Sequence, residues 1–122
     1  MYEVKIIESS ISDMSARDRL MLKDTSNARK FDEIVDSGAD FTFRPVAYSV
    51  LEVHNDKADQ PVYNQFIVVD SDGNKYVTGS SSFWEAFIDI WVEMDGEPFE
   101  LAVYKKPSKN YKGKSFISCS IV

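Results

Sequence analysis

The sequence contains little of what most catalytic and metal sites are built from. Its 122 residues include one cysteine, Cys119, and one histidine, His54. A single cysteine excludes an internal disulfide and a cysteine-based zinc site, and one histidine leaves few ways to build a nucleophile–base pair. The apolar runs are short, far below the roughly 20 residues that span a bilayer. We therefore expect no catalytic activity, no metal, no cofactor and no membrane association.

The remaining composition is that of an ordinary globular domain. Apolar residues make up 43% of the chain and aromatic residues 13%, which is too many for a disordered chain. The length fits a single domain over residues 1–122. The N-terminus, MYEVKIIESS, lacks the basic start and apolar stretch of a signal peptide. We expect a cytoplasmic protein.

The charge is distributed unevenly. The chain carries 14 basic and 20 acidic residues, a net charge of −6, but residues 105–114 (KKPSKNYKGK) hold five lysines and no acid. An acidic chain is unlike most nucleic-acid binders, so this basic segment is the exception that needs an explanation. Single-strand binders combine cations with aromatic side chains that stack on bases. This pattern predicts that Tyr111 stacks on a base and that five lysines contact phosphates: Lys105, Lys106, Lys109, Lys112 and Lys114. The alternative is a solvated hairpin loop whose lysines keep a sheet edge soluble.

Short β-type runs account for most of the chain. Apolar or alternating runs predict strands at 4–11, 18–23, 41–54, 63–69, 75–78, 99–104 and 115–121. Pro45 predicts a bulge, a strand start or an edge within the long run. Residues 24–40 are polar and predicted to be mostly loop, with Phe31 and Ile34 reaching the core.

One amphipathic helix is predicted at 82–94, because Phe83, Phe87 and Trp91 recur at helical spacing. We expect its tryptophans to pack in the core, and Ser82 with Glu85 to form a capping box. The predicted fold is mainly β with one α-helix: an OB-like β-barrel whose helix lies between the third and fourth barrel strands. That fold binds oligonucleotides on its strand 2–3 face and in the loops joining strands 1–2 and 4–5. The basic segment occupies the position of the second of these loops.

Further candidate residues alternate along the predicted strands. Arg17 and Arg19 share one face of the second predicted strand and the residue before it, and Arg44 and Tyr48 share one face of the long run. Tyr104 alternates outward with the lysine two residues later and adjoins the basic segment. If these faces point outward, all five side chains extend the basic surface into a nucleic-acid-binding groove. An ordinary half-exposed sheet face is the alternative for each of them.

The part of the chain after the long strand contains three recognisable segments in order: a turn (SDGNKYVTGSS), a helix (SFWEAFIDIW) and a closing section (FELAVYKKPSKNYKGKSFISCSIV). In this order and spacing, residues 41–122 resemble the small single-stranded DNA-binding proteins of tailed phages that infect Gram-positive bacteria. The resemblance implies an OB-like barrel that coats single-stranded DNA with little sequence preference during phage DNA replication or recombination, in the host cytoplasm. Unlike many cellular single-strand binders, the chain ends in apolar residues instead of an acidic tail.

Two hypotheses of different kinds follow. The first is a non-catalytic single-stranded DNA-binding protein, whose partners are DNA, phage or host replication and recombination proteins, and a second copy that pairs through an exposed barrel edge. The second is an acidic protein-interaction module that binds or inhibits a host protein. Charge reversal at Lys109 and Lys112 discriminates between them, because only DNA binding depends on these cations.

Overall fold

Eight strands and three α-helices make up the part of the chain that this computed structural model describes, residues 2–37, 41–57, 59–107 and 115–122. In chain order they are β1 (Tyr2–Ser9), α1 (Ala16–Lys23), β2 (Arg29–Lys30), α2 (Phe31–Ile34), a 3-10 helix (Val35–Ser37), β3 (Phe41–Phe43), β4 (Pro45–Asn55), β5 (Val62–Asp70), β6 (Lys75–Thr78), α3 (Ser81–Met94), β7 (Leu101–Pro107) and β8 (Ser115–Ile121). The fold is mainly β, as predicted. Within these ranges, no helix is both long and apolar enough to cross a membrane.

The strands form two open sheets. One has five strands in the order β1-β4-β5-β6-β2, and the other has three in the order β3-β7-β8. The long predicted strand contributes to both, because it is interrupted at Arg44: β3 pairs with β7, whereas β4 pairs with β1 and β5. The register shifts between Pro45 and Ala47, which confirms the irregularity predicted from a residue that lacks a backbone N–H. Among the described strands, the two sheets do not close into a barrel.

An aromatic core lies between α3 and the inner faces of both sheets. Phe83 and Phe87 of α3 are completely buried, and so is Phe31. The Phe31 ring stacks on Tyr76 with centroids 5.2 Å apart and lies 4.9 Å from the ring of Phe83. The predictions that Phe31 reaches the core and that α3 turns its aromatic face inward are therefore confirmed. Trp84 and Trp91 are half-buried and pack against this core.

A second, smaller core lies on the opposite face of the five-stranded sheet. It joins Leu22 of α1 to Leu51, Ile67 and Val77 of the sheet. The predicted strand at 18–23 is wrong, because these residues form α1. The Ser15 hydroxyl accepts a hydrogen bond from the Asp18 N–H at 3.1 Å and caps this helix.

The segment between α1 and β3 contains more structure than predicted. Where a loop was expected, β2 pairs in parallel with β6, and α2 and the 3-10 helix follow directly. These elements have two to four residues each, too short to give a periodic pattern. The burial of Phe31 stabilises them instead, because it anchors α2 to the core. The prediction of a single helix is accordingly wrong.

The start of α3 differs by one residue from the prediction. The N-cap is Ser80, whose hydroxyl accepts from the Phe83 N–H at 3.2 Å. Ser82 instead donates from its hydroxyl to the Ile117 carbonyl at 3.1 Å and ties the helix to β8. The predicted capping box from Ser82 to Glu85 is therefore wrong. Three consecutive serines allow several caps, and contact with β8 selects among them.

Asp70 is a buried carboxylate at the turn between β5 and β6. It accepts hydrogen bonds from the Tyr76 hydroxyl (2.8 Å) and from the backbone N–H groups of Asn74 (2.8 Å) and Asp72 (2.9 Å). Burial raises the pKa of Asp70, but these bonds outweigh it and leave the pKa below its ordinary value. Stability from this group is therefore present above the unfolded pKa and lost as pH falls through the lowered folded pKa.

The Asp70→Asn variant is expected to lose about 1.5–3 kcal/mol of unfolding free energy at neutral pH, because the donors lose a charged acceptor. Urea unfolding at neutral and acid pH measures this difference. The gap between wild type and variant should shrink in acid, where wild-type Asp70 is itself protonated. The matched control is Asp72→Asn, which changes an exposed aspartate of the same turn and should change the unfolding free energy little. A gap that stays constant across this pH range contradicts the account.

Candidate nucleic-acid interface

The outer face of the three-stranded sheet is the surface that best matches the predicted site. Along β7, Leu101 and Val103 are buried, and the alternate residues point to the other side. The cross-strand register matches these alternate residues with their neighbours on β3 and β8. The outer face therefore consists of Thr42, Ala102, Tyr104, Lys106, Phe116, Ser118 and Ser120.

Two aromatic side chains share this face. Tyr104 is half-buried and lies opposite Ser118, and Phe116 is 36% exposed and lies opposite Lys106. Tyr104 and Phe116 are thus diagonal neighbours on adjacent strands, a relation that separates residues by about 7–8 Å. Phe116 was not among the predicted site residues. The alternation of β8 could have identified it, because Ile117 and Cys119 face inward and leave Phe116 outside.

The two described lysines of the basic segment have different surroundings. Lys106 is exposed on the outer face and forms no ion pair with another described residue. Lys105 points to the opposite side, where its ammonium forms an ion pair with the carboxylate of Asp36. Lys106 therefore lies on the same face as the aromatic pair, whereas Lys105 lies on the opposite face.

The other lysines of the segment, Lys109, Lys112 and Lys114, and the predicted stacking residue Tyr111 lie outside the described residues. Their attachment points are described: Pro107 at the end of β7 pairs with Ser115 at the start of β8. Residues 108–114 are therefore bounded by two paired residues at one end of the sheet, and Lys106 and Phe116 on the outer face are the next pair along the two strands.

Arg17 and Arg19 do not belong to this surface. The prediction placed them on one face of a strand, but both lie on α1, which packs on the five-stranded sheet. The Arg19 guanidinium donates to the Met14 carbonyl at 2.7 Å and so ties the helix to the preceding loop. The alternating sequence was interpreted as a strand, and this error led to the wrong prediction that the two arginines lie on the binding surface.

Arg44 and Tyr48 also have different surroundings from each other. Arg44 is exposed between β3 and β4, and it forms no ion pair with another described residue. Tyr48 packs against α3, with ring centroids 5.2 Å from Trp84 and 5.3 Å from Trp91. Its hydroxyl donates to Glu8 at 3.3 Å, and burial together with the Glu8 charge raises the pKa of Tyr48. Arg44 is available to a ligand, whereas Tyr48 is largely committed to packing.

A small groove of about 310 Å³ lies beside Arg44 and is walled by Pro45, Trp91, Pro98 and Phe99. Phe43, next to Arg44, pairs with Leu101 at the start of β7, and the basic segment leaves β7 at its other end. Lys106 follows Leu101 by five positions along the strand, or roughly 17 Å at the usual rise of an extended chain. Arg44 thus lies near the end of β7 that is opposite to Lys106 and the aromatic pair.

A larger groove, of about 600 Å³, lies between α1 and the β5–β6 hairpin. Met14, Met21 and Val69 supply apolar walls, and Lys75 closes one side by donating to the carbonyls of Met21 (2.7 Å) and Asp24 (2.5 Å). Burial lowers the pKa of Lys75 despite the opposing charge of Asp24. Leu22 of α1 packs on this face of β5 and β6, so the protein itself occupies part of the face.

Comparison with known proteins returned no match of any kind: no protein family, no curated protein and no solved structure is significantly similar to this chain. The interpretation of the surface therefore depends on its own geometry. Within the described ranges, no group of three or more His, Cys, Asp or Glu side chains could hold a metal ion.

Proposed function

We propose that this protein binds single-stranded DNA without catalysis and that the strand lies along the outer face of the three-stranded sheet. The observation that carries the proposal is the aromatic pair, Tyr104 and Phe116, on one face beside the exposed cation Lys106, which forms no ion pair within the described part of the chain. Stacking on aromatic rings tolerates any base, because every base has a π-face. Such a surface favours binding with little sequence preference.

The proposed fold is an incompletely closed OB-like barrel. From residue 41 onward the order is β3/β4, β5, β6, α3, β7 and β8, so α3 lies between the third and fourth strands of that series. In such a barrel the first strand bends and so belongs to two sheets, as the run β3/β4 does at Arg44. The difference lies in the binding face, since Leu22 of α1 packs on the β5–β6 face that OB-folds commonly use. The proposed DNA path therefore follows β7 and β8.

Electrostatics support a preference for a single strand. The five lysines of residues 105–114 are attached to a body with 9 basic and 20 acidic residues. A single strand can stack its bases on the outer face and bring its phosphates to the lysines, whereas a stiff duplex cannot expose its bases and meets the acidic body. Counterion release makes binding of this kind strongly salt-dependent.

Charge reversal in the basic segment tests the proposal. The double variant Lys109→Glu/Lys112→Glu is expected to lose most of its affinity for a fluorescently labelled dT oligonucleotide in an anisotropy titration. Loss of two phosphate contacts should also reduce the slope of log affinity against log salt by about 1.4, at roughly 0.7 per contact for a single strand.

The matched control is Lys30→Glu/Lys57→Glu, which changes the net charge equally at two exposed lysines outside the segment. This control should lose far less affinity, because global charge acts only over a screened distance. Equal losses in the two double variants would contradict a local site.

The biological setting follows from the resemblance to phage proteins. We propose that the protein coats single-stranded DNA during phage replication or recombination in the host cytoplasm, together with phage or host proteins of those processes. Coating requires many copies per strand, so the protein should be abundant during DNA synthesis.

The acidic row on α3 favours a second candidate function. Glu85, Asp89 and Glu93 recur at every fourth residue and are all exposed, which gives the helix one negative face. A protein-interaction module that binds or inhibits a host protein could present this face to a basic partner. Such a module would bind no DNA, and charge reversal at Lys109 and Lys112 would leave its activity largely intact.

A further inference from the structure

The N-terminal strand β1 is an open edge of the five-stranded sheet. It pairs with β4 on one side, and no described strand lies on its other side. The opposite edge of the sheet is β2, which has only two residues. An eight-residue edge such as β1 presents a row of backbone N–H and C=O groups to solvent, and these groups can pair with another strand.

A bulge divides this edge into a regular and an irregular part. The register with β4 shifts between Ile6 and Glu8, and the intervening Ile7 is 51% exposed. Bulges twist an edge and interrupt pairing. The part of β1 available for a regular ladder is therefore residues 2–6, before the bulge.

The side chains of this regular part are self-complementary. Glu3 and Lys5 lie on one face with about half of each side chain exposed, 3.8 Å apart, and Tyr2, Val4 and Ile6 lie on the other face. We propose that two copies of the chain pair antiparallel through β1, about a two-fold axis at Val4. Each Glu3 then faces Lys5 of the second copy, and each Tyr2 faces Ile6.

Charge selects this register over its neighbours. Moving the two-fold axis by one residue to Glu3 or to Lys5 places two like charges directly opposite each other, which destabilises a strand pair. Placing the axis midway between two residues would put a charged side chain opposite an apolar one. The register centred on Val4 is the one that forms two Glu3–Lys5 pairs, and it also keeps α1 of both copies on the same side of the joined sheet.

The resulting dimer has a ten-stranded sheet and leaves the three-stranded sheet of each copy uncovered. A ladder of five residues buries less than a standard interface, so the dimer should depend on concentration across the micromolar range. This inference does not rest on the proposed DNA binding.

Disulfide cross-linking tests the position of the axis. In a Val4→Cys variant the two introduced thiols lie directly opposite, at a Cα separation of about 4.5–5.5 Å that suits a disulfide. Mild oxidation should therefore convert most of the protein to a covalent dimer on a non-reducing gel. The native Cys119 should not interfere, because burial raises the pKa of its thiol to about 12.

A Tyr2→Cys variant is the matched control, because it keeps both Glu3–Lys5 pairs at an exposed position, while its two thiols lie four residues apart along the ladder, roughly 14 Å, and should cross-link at least several-fold less. Equal cross-linking in both variants, or none in Val4→Cys, would overturn the proposed register. Sedimentation velocity of the wild type gives the independent readout, and a monomer at every concentration would overturn the dimer.

Charge exchange tests the pairing rule. Lys5→Glu should raise the dimer dissociation constant at least about tenfold, because two attractions become repulsions. Since Lys5 also lies opposite Glu52 of its own chain, the variant is compared with Glu3→Lys/Lys5→Glu, which restores both pairs between copies and should recover the dimer. Failure of the exchange variant to recover while it remains folded by circular dichroism would contradict the proposal.

Discussion

Replacing both Tyr104 and Phe116 with alanine is expected to weaken binding of a dT oligonucleotide by a factor of roughly 30 to 25,000. Each ring is proposed to stack on one base, and alanine substitution of a stacking ring costs about 1–3 kcal/mol. The two losses add if the rings contact successive bases, as their diagonal placement on β7 and β8 suggests. Fluorescence anisotropy with labelled dT measures the change.

The matched control for this variant is Thr42→Ala/Ser120→Ala, which changes two exposed side chains of the same outer face that have no ring. It should bind within a few-fold of wild type. Each single aromatic variant should lose an intermediate amount. Wild-type affinity in the double aromatic variant would contradict the proposal that the outer face binds DNA, even if the protein still binds DNA by its lysines.

Replacing Phe31 with alanine is expected to lower the free energy of unfolding by about 3–5 kcal/mol, the usual cost of removing a large aromatic side chain from a core. Its ring is completely buried and lies within 5.6 Å of the rings of Phe43, Tyr76 and Phe83. The side chain therefore fills the space where α2, both sheets and α3 meet. Urea unfolding followed by tryptophan fluorescence measures the loss.

Lys30→Ala serves as the control, because this neighbour is exposed and should change the unfolding free energy by less than about 0.5 kcal/mol. A loss below about 1 kcal/mol for Phe31→Ala would mean that the site collapses around the missing ring. That result would contradict the role of Phe31 as the anchor of the segment between α1 and β3.

The elements with a strong period could be predicted from the sequence. α3 has an aromatic stripe at helical spacing, and β6 was predicted with its observed bounds, Lys75–Thr78. Phe31 could be assigned to the core from an otherwise polar segment because an isolated aromatic residue there has few other roles. In each case the local pattern and the burial agree, so tertiary contacts change little.

The failures have local physical causes. The alternation of Leu20 and Leu22 indicated a strand with both leucines on one buried face. In α1 only Leu22 is buried, whereas Leu20 is 68% exposed. A single core contact therefore holds a helix at this position. Leucine, methionine, arginine and lysine all favour helices, and the Ser15 cap was available as a signal. β2 and α2 were missed because elements of two to four residues have no period.

The candidate site was predictable only in part. Tyr104 and Lys106 were identified from alternation beside the basic segment, and Phe116 could have been identified in the same way on β8. The ion pair of Lys105 with Asp36 spans 69 residues of sequence, and no local pattern indicates it. Likewise, the burial of Tyr48 beneath Trp84 and Trp91 depends on how α3 packs, which alternation along one strand does not reveal.

Binding of the wild-type protein to a labelled dT oligonucleotide, compared with a duplex of the same length at low and high salt, tests the central claim most directly. We predict tight binding to the single strand at low salt, marked weakening at high salt and much weaker binding to the duplex. No binding to the single strand at low salt, or equal binding to the duplex, would contradict the claim. The first of these results would turn attention to a basic protein partner for the acidic face of α3.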